Sequence, residues 1–110
     1  MPEITSNVSF ANIAREIRCK WSPDNDKSSL TAAQTILMSH LADLKADGRS
    51  VKRVVCGGCM DFKIITTAKE PDFGKFEEGG FAGEEAIIKE LTAVDGITSV
   101  ETQTYTIEEM

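Results

Sequence analysis

The sequence predicts an α+β fold in which strands and helices follow the order β-α-β-β-α-β. Apolar and polar residues alternate over Ile13 to Trp21, as they do in a half-buried strand. The segments Leu30 to Ala46 and Glu84 to Val94 repeat apolar residues at threes and fours, which is the spacing of an amphipathic helix. Two β-branched segments meet at Gly57 and Gly58, and this arrangement predicts a hairpin.

The first strand has two chemically different sides. Ile13, Ile17, Cys19 and Trp21 fall on one side, with Arg15 among them. The polar segment SPDNDKSS, residues 22–29, then interrupts the alternation and ends the strand. The opposite side carries Ala14, Glu16, Arg18 and Lys20.

The second and third strands are Ser50 to Cys56 and Cys59 to Thr67, on either side of the glycine pair. A two-residue turn made by these glycines requires positive φ, which glycine adopts at little cost. This turn would set Val55 opposite Met60 in the hairpin. The first helix precedes these strands and is expected to end at Gly48.

The second half of the chain begins with a loop that has one helical turn around Phe73 and Phe76. We expect the aromatic residues to anchor this loop to the core, with a flexible lid as the alternative. The second helix, Glu84 to Val94, is closed by Gly96, and the last strand spans Ser99 to Ile107.

This order of elements is that of the ferredoxin-like fold, a four-stranded antiparallel sheet with two helices on one face. Residues 1–110 are expected to form a single domain, with loose order over 1–12. The helices leave one sheet face uncovered, and that face mixes charged with apolar residues. We therefore expect two chains to pair through it as a dimeric α/β barrel, with a plain solvated face as the alternative.

Composition argues against several classes of partner. The chain of 110 residues has a net charge of −6 and no basic face, so it is not expected to bind nucleic acid. No apolar run is long enough to span a membrane, and the N-terminal segment has no secretory leader pattern, so no membrane partner is expected. Three cysteines, two of them close together, favour a cytoplasmic protein with reduced thiols over a secreted disulfide framework.

Two motifs resemble the effector-binding domain of the leucine-responsive and asparagine regulator family. VVCGGCMDFKIITT carries Gly58, Asp61 and Phe62 where that pattern has a glycine, an aspartate and an aromatic residue. LTAVDGITSVETQTYTIEE carries Gly96 and, six places later, Thr102. The resemblance implies a stand-alone dimeric ligand-binding domain of the wider dimeric α/β barrel superfamily. No helix-turn-helix is expected before this domain, and its second connection is longer than that pattern usually has, so the resemblance does not imply the transcription-factor function.

Cys56 and Cys59 flank the two glycines, and three interpretations compete for them. A redox pair needs a cation or a helix N-terminus to stabilise its thiolate. A zinc site needs two further ligands, and only Cys19 and His40 remain. We therefore expect a structural hairpin with no metal and no cofactor, while a strained disulfide across the turn stays open.

The candidate ligand-binding residues come mainly from the uncovered face. Its basic side chains are suited to a ligand carboxylate, although they are equally suited to cross-strand ion pairs. The candidates are Arg18, Lys20, Trp21, Gly58, Asp61, Lys63, Gln103 and Tyr105.

The candidate catalytic residues are Tyr105, Asp61 and His40. A tyrosine and a carboxylate inside an apolar barrel can move a proton on a small substrate. The same two residues can also satisfy each other at a dimer interface. The single histidine lies on the flank of the first helix, where a partly buried structural role is the stronger interpretation.

The sequence therefore favours a small-molecule binding or sensing domain. A homodimer, or a dimer of dimers, would enclose a ligand with an apolar body or a carboxylate. The first alternative is a cofactor-free enzyme of the monooxygenase or cyclase kind. The second is a purely structural or interaction protein, in which the uncovered sheet only makes the oligomer.

Overall fold

A four-stranded antiparallel sheet with helices packed on it forms the centre of this α+β protein. The computed structural model describes residues 2–110. The elements are β1 Glu3–Thr5, β2 Val8–Ser9, β3 Asn12–Lys20, α1 Asp24–Lys45, a 3₁₀ turn Ala46–Gly48, β4 Ser50–Val55, β5 Asp61–Lys69, α2 Glu70–Glu78, α3 Gly80–Thr92 and β6 Thr98–Ile107. The strand order is β4-β5-β3-β6, which is compatible with the predicted ferredoxin-like arrangement.

The core lies between one face of the sheet and the helices. Ile17 of β3 and Phe62 of β5 meet Leu37 of α1 and Leu91 of α3 in one buried cluster. Burying each of these side chains stabilises the fold by roughly 1.5–3 kcal/mol. Successive strand residues alternate between the two faces of the sheet. Because the helices pack on the face that carries Ile17 and Phe62, the other face of β3 and β5 is left uncovered by helices, as predicted.

The hairpin between β4 and β5 differs from the prediction. Its connection spans residues 56–60, and Val55 pairs with Phe62 instead of Met60. The predicted two-residue turn and its register are therefore wrong. The register is displaced by two residues, so each side chain keeps its predicted face of the sheet.

The backbone explains the longer hairpin connection. The residue with positive φ is Met60, at 58°, and neither glycine has a positive φ. The carbonyl of Met60 accepts a hydrogen bond from the backbone N–H of Trp21 at 3.0 Å. The loop is closed where Cys56 N–H donates to the carbonyl of Asp61 at 3.0 Å. Met60 is therefore turned towards the end of β3, where it cannot pair with β4.

The helices begin differently from the prediction. Within α1, residues 25–27 have left-handed φ values of 55–61°, so the regular right-handed helix begins after them, close to the predicted Leu30. The loop predicted around Phe73 is the helix α2. Pro71 lies in the first turn of α2, where proline is typical of a helix start. The apolar stripe of α2 is too short to predict a helix by its spacing. No helix within residues 2–110 is both long and apolar enough to cross a membrane.

The aromatic residues around α2 anchor it to the sheet. Phe73 and Phe76 are buried against Ala68 of β5, and Phe81 packs on the same cluster. The ring centroids of Phe76 and Phe81 lie 5.2 Å apart at an interplanar angle of 79°, an edge-to-face contact. This packing favours the anchoring interpretation over a flexible lid.

Arg15 is the one arginine on the helix-covered side of β3, and it is fully engaged. Its Nε and Nη2 each donate to a carboxylate oxygen of Glu84 in α3 at 2.8 Å. Its Nη1 donates to Thr104 Oγ1 at 2.8 Å, and its guanidinium lies 4.2 Å from the centre of the Phe81 ring. These contacts fix the start of α3 to β3 and β6.

The N-terminal segment adds a short hairpin at one end of the sheet. β1 and β2 pair antiparallel, and Phe10 N–H donates to the carbonyl of Pro2 at 2.9 Å. Ala11 then joins the segment to the sheet end, because its N–H donates to Glu108 Oε1 at 2.9 Å. The carbonyl of Ala11 accepts a hydrogen bond from the backbone N–H of Glu70 at 2.8 Å.

Candidate anion-binding cleft on the uncovered sheet face

Four of the predicted ligand-binding residues come together at one end of the uncovered face. Cross-strand pairing sets Lys20 opposite Asp61, and it sets Arg18 between Lys63 and Glu101. Directly opposed residues point to the same face of an antiparallel sheet. A cleft of about 280 Å³ lies there, and it is lined by Arg18, Cys19, Lys20, Asp61, Lys63, Ser99 and Glu101.

The ion pairs of the cleft leave cationic groups accessible. Lys20 Nζ lies 2.5 Å from Asp61 Oδ1 and donates to the carbonyl of Cys59 at 2.9 Å. Arg18 Nη2 donates to Glu101 Oε2 at 3.1 Å, and both side chains are about half exposed. Lys63 forms no ion pair within residues 2–110. The hydrogen bond from Lys20, with the charges of Lys63 and Arg18, lowers the pKa of Asp61, which therefore stays ionised.

The uncovered face as a whole carries a net positive charge, so the expectation that the acidic chain has no basic face is wrong. The pairing register assigns it five cationic and three anionic side chains, a net charge of +2, whereas the chain carries −6. This local excess favours anionic over cationic ligands. The cations are Arg18, Lys20, Lys52, Lys63 and Lys69, and the anions are Glu16, Asp61 and Glu101.

Backbone irregularities border the same cleft. The register between β3 and β6 shifts between Arg18 and Lys20, and Ser99 in this bulge has a φ of 55°. Met60, with a φ of 58°, directly precedes Asp61 on the other side. Bulges and left-handed residues re-aim side chains and often lie near functional sites. The sequence carries no glycine or asparagine at either position that would have indicated them.

Tyr105 and Glu16 form a separate pair further along the face. The Tyr105 hydroxyl donates to Glu16 Oε1 at 3.1 Å, and Glu16 is only 4% exposed. Burial and the interaction with Glu16 raise the pKa of Tyr105 to about 12, so the phenol stays protonated at neutral pH.

Among the described residues, Glu16 is the one buried charged residue of this face, and the sequence analysis did not select it. The sequence signal that could have indicated the burial of Glu16 was its position in the middle of the first predicted strand. In a ferredoxin-like sheet that strand is central, and here Glu16 has Ile65 and Gln103 beside it on the two neighbouring strands. A carboxylate flanked on both sides is covered by its neighbours even on a face that no helix covers.

The three candidate catalytic residues are not brought together. Tyr105 lies opposite Ala14 and Asp61 lies opposite Lys20. The distance along β3 from Ala14 to Lys20 is roughly 20 Å, at about 3.3 Å per residue, so Tyr105 and Asp61 lie far apart. His40 is on α1, in the helix layer, where its Nε2 lies 2.6 Å from Glu90 Oε2. A substrate in the cleft would therefore meet Asp61 without the other two.

The remaining predicted ligand-binding residues lie outside the cleft lining. Trp21 is 6% exposed in the core, and its indole N–H donates to the carbonyl of Asp61 at 3.2 Å. It therefore supports the backbone beneath the cleft from within the core. Gly58 lies in the hairpin loop, and Gln103 lies beside Glu16 on β6.

Cys56 and Cys59 form a disulfide across the hairpin loop, with Cα atoms 5.6 Å apart. The disulfide that the sequence left open is therefore present, and only Cys19 is a free thiol. Cys59 N–H donates to Cys56 Sγ at 3.2 Å, and Cys59 Sγ lies 3.3 Å from Asp61 Oδ2. The loop thus adjoins the cleft. Within residues 2–110, no group of three metal-ligating side chains occurs.

Comparisons with known proteins found no matching family model, no matching curated protein and no matching solved structure. The resemblance to the regulator effector domain therefore gains no support from relatives. The geometry of the cleft is therefore the basis for assigning a function.

Proposed function

We propose that this chain is a small-molecule binding domain whose uncovered sheet face holds a carboxylate-bearing ligand. The supporting observation is the cleft itself, in which accessible cations line a cavity on a face of net charge +2. The ligand carboxylate would accept charge-assisted hydrogen bonds from Lys63 and Arg18, which lie directly opposite each other on adjacent strands. Two like charges in that position repel until an anion joins them.

The cleft volume limits the size of the ligand. Ligand pockets generally enclose about 300–1,000 Å³, and this cleft of about 280 Å³ is at the lower limit. A second surface placed over the cleft would deepen it. Val54 and Ile107, each 40% exposed, give the face apolar margins suited to such contact.

We therefore also propose that the fold is ferredoxin-like and that two chains pair face to face as an α/β barrel. Four strands about 4.8 Å apart and about 30 Å long give a face of roughly 570 Å². Pairing would bury somewhat more than 1,000 Å² in total, which is about the minimum for a specific interface. Because both faces are cationic, an anionic ligand between them would favour the pairing.

Native mass spectrometry of the untreated protein, beside the same sample after denaturation, tests the assembly. We expect a dimer with extra mass that disappears on denaturation. A dimer with no bound mass and no response to added carboxylate would instead indicate the purely structural role. A monomer under all conditions would contradict the barrel.

NMR titration of the backbone amides with 3-phenylpropionate, and with its uncharged amide, tests the ligand class. The carboxylate should shift resonances of β3 and β5 around Arg18 and Lys63, and the amide should not. Lys63→Glu should weaken binding at least tenfold, about 1.4 kcal/mol. Lys45→Glu, an equal charge change on an exposed residue of α1, should leave binding unchanged. Equal loss in both variants would contradict a specific carboxylate site.

A cofactor-free enzyme is the second candidate, supported by the hydrogen bond between half-buried Tyr105 and buried Glu16. A protonated phenol held by a buried carboxylate can stabilise negative charge that develops on a substrate. Tyr105→Phe should abolish substrate turnover while substrate affinity remains, if this candidate is right. Loss of affinity alone would favour the binding domain.

A further inference from the structure

The disulfide loop next to the cleft has the parts of a thiol–disulfide exchange site. Cys59 is exposed and Cys56 is partly exposed, so external reagents can reach the loop. Lys20 joins loop to cleft, because its amine contacts both the Cys59 carbonyl and the Asp61 carboxylate. A disulfide with a purely structural role requires neither solvent access to its sulfur atoms nor a carboxylate beside one of them.

We infer that Cys56 and Cys59 form a redox centre that exchanges with small disulfides bearing carboxylates, and that the cleft cations bind those carboxylates. The choice of substrate class rests on the proposed anion-binding function. The exchange itself rests on the cysteine pair and its neighbours.

The two sulfurs have different environments, which assign them different roles. Cys56 Sγ accepts a hydrogen bond from Cys59 N–H at 3.2 Å, and this donor stabilises negative charge on that sulfur. Cys59 Sγ instead lies 3.3 Å from a carboxylate oxygen of Asp61, and this negative charge disfavours a thiolate at Cys59. Cys56 is therefore the attacking thiolate of the reduced protein, and Cys59 is the resolving thiol.

The exchange balances in two steps. The Cys56 thiolate attacks one sulfur of the small disulfide, a mixed disulfide forms, and the first small thiolate leaves and takes a proton from water. Cys59 then loses its proton to water, and its thiolate attacks Cys56 Sγ. The Cys56–Cys59 bond forms and the second small thiolate leaves. The protein dithiol loses two electrons, and the small disulfide gains them to become two thiols.

The cleft selects the substrate by charge. Arg18 and Lys63 lie opposite each other, two residues further from the loop than the Lys20–Asp61 pair, so these two cations lie immediately beyond that pair. A carboxylate-bearing disulfide can place its charge there while its sulfur meets Cys56. Cys19 does not compete, because it is buried and burial raises the pKa of its thiol to about 11.

The test is the oxidation of the reduced protein by two disulfides of opposite charge. Protein freed of reductant is mixed with glutathione disulfide, which carries carboxylates, or with cystamine, which carries only amines. After alkylation of the remaining thiols, mass spectrometry follows loss of the dithiol. We expect glutathione disulfide to react about tenfold faster, relative to each reagent's rate with a free model thiol. Lys63→Glu should remove this advantage and Lys45→Glu should keep it.

Single-cysteine variants test the assigned roles. Cys59→Ser should accumulate the glutathione mixed disulfide on Cys56, because the resolving thiol is missing. Cys56→Ser should accumulate much less of it on Cys59. Asp61→Asn should speed closure of the mixed disulfide more than its formation, because the charge that disfavours the Cys59 thiolate is removed. A merely structural disulfide would not produce this ordering.

Three outcomes would overturn the inference: no exchange with either reagent, equal relative rates, or a preference for cystamine. The 3-phenylpropionate titration of the oxidised protein separates the two proposals. If the carboxylate still binds at Lys63, only the redox inference has failed. If binding is also absent, the proposed anion site has failed with it.

Discussion

Two arginines of β3 each pair with a glutamate, but the two pairs differ in geometry and exposure. Arg15, on the helix-covered face, holds Glu84 through two hydrogen bonds of 2.8 Å, with side chains 18% and 10% exposed. Arg18, three residues later on the uncovered face, holds Glu101 through one contact of 3.1 Å, with side chains 41% and 56% exposed. The first pair is a structural connection between a helix and the sheet. The second is exposed to solvent, as the proposed ligand site requires.

The difference follows from what surrounds each guanidinium. Arg15 also bonds to Thr104 and lies over the Phe81 ring, so its donors and its flat face are occupied. Arg18 contacts Glu101, with Glu16 at 3.9 Å, and keeps donors free towards the cleft. A strand that alternates between two faces can therefore carry both roles within four residues.

Removing the two glutamates should separate these roles most strongly. Glu84→Ala leaves Arg15 without its partner in a largely buried position, and we expect it to lower the free energy of unfolding by about 2–3 kcal/mol. Glu101→Ala should cost less than about 0.5 kcal/mol, because exposed pairs contribute little. Urea unfolding followed by the fluorescence of Trp21, the single tryptophan, measures both.

A double replacement provides the control for this experiment. Arg15→Met with Glu84→Leu removes both charges and should recover much of the stability lost in Glu84→Ala. If Glu84→Ala and Glu101→Ala cost the same, the distinction between the two faces is wrong.

Two glycines extend the comparison from side chains to the backbone. Gly96 has a φ of +95°, and a Cβ there would lie 3.1 Å from the Cβ of buried Ser29. Gly96→Ala should therefore cost about 1–2 kcal/mol from the left-handed conformation alone. Gly58, in the loop beside the cleft, has no positive φ and open space around it. Gly58→Ala should change stability by less than about 0.5 kcal/mol.

Thermal unfolding of the two alanine variants, measured with the disulfide intact, decides this point. A larger loss in Gly58→Ala would restore the predicted role of that glycine as an obligatory turn residue. It would also contradict the hairpin that places the left-handed residue at Met60.

The element order and the faces of the strands could be predicted because they depend on periodicity. Alternation in β3 placed Arg18 and Lys20 on the uncovered face, and the structure has them there. The two-residue error in the hairpin did not affect the face assignments, because side chains repeat every two residues.

The parts of the site that could not be predicted depend on tertiary contacts. The left-handed φ of Met60 occurs where its carbonyl accepts from Trp21, a residue of another element. The pairing of Tyr105 with Glu16, and its distance from Asp61, follow from the register of β6 on β3. No local pattern in residues 98–107 encodes that register.

The smallest predicted effect concerns the partly buried pair of Tyr105 and Glu16 on the uncovered face. Tyr105 is the only tyrosine, so the ultraviolet absorbance of tyrosinate reports its titration alone. Its pKa is raised to about 12 from the ordinary 10.0, first by burial and then by the interaction with Glu16. The native state thus holds the phenolic proton more tightly than the unfolded chain. With respect to this group, stability is unchanged below about pH 10 and falls as pH rises from there towards 12.

Glu16→Gln should move the pKa of Tyr105 down towards 10 without reaching it, because burial is the largest cause of the shift and remains. The alkaline loss of stability should become correspondingly smaller in this variant. Glu101→Gln, the same change at an exposed carboxylate of the same face, should leave the titration in place. Trp21 fluorescence, recorded alongside, shows whether the chain is still folded at each pH. If Tyr105 of the native protein titrates near pH 10 with Glu16 present, water reaches the Tyr105–Glu16 pair. The uncovered face then contains no polar site shielded from water that could assist a reaction.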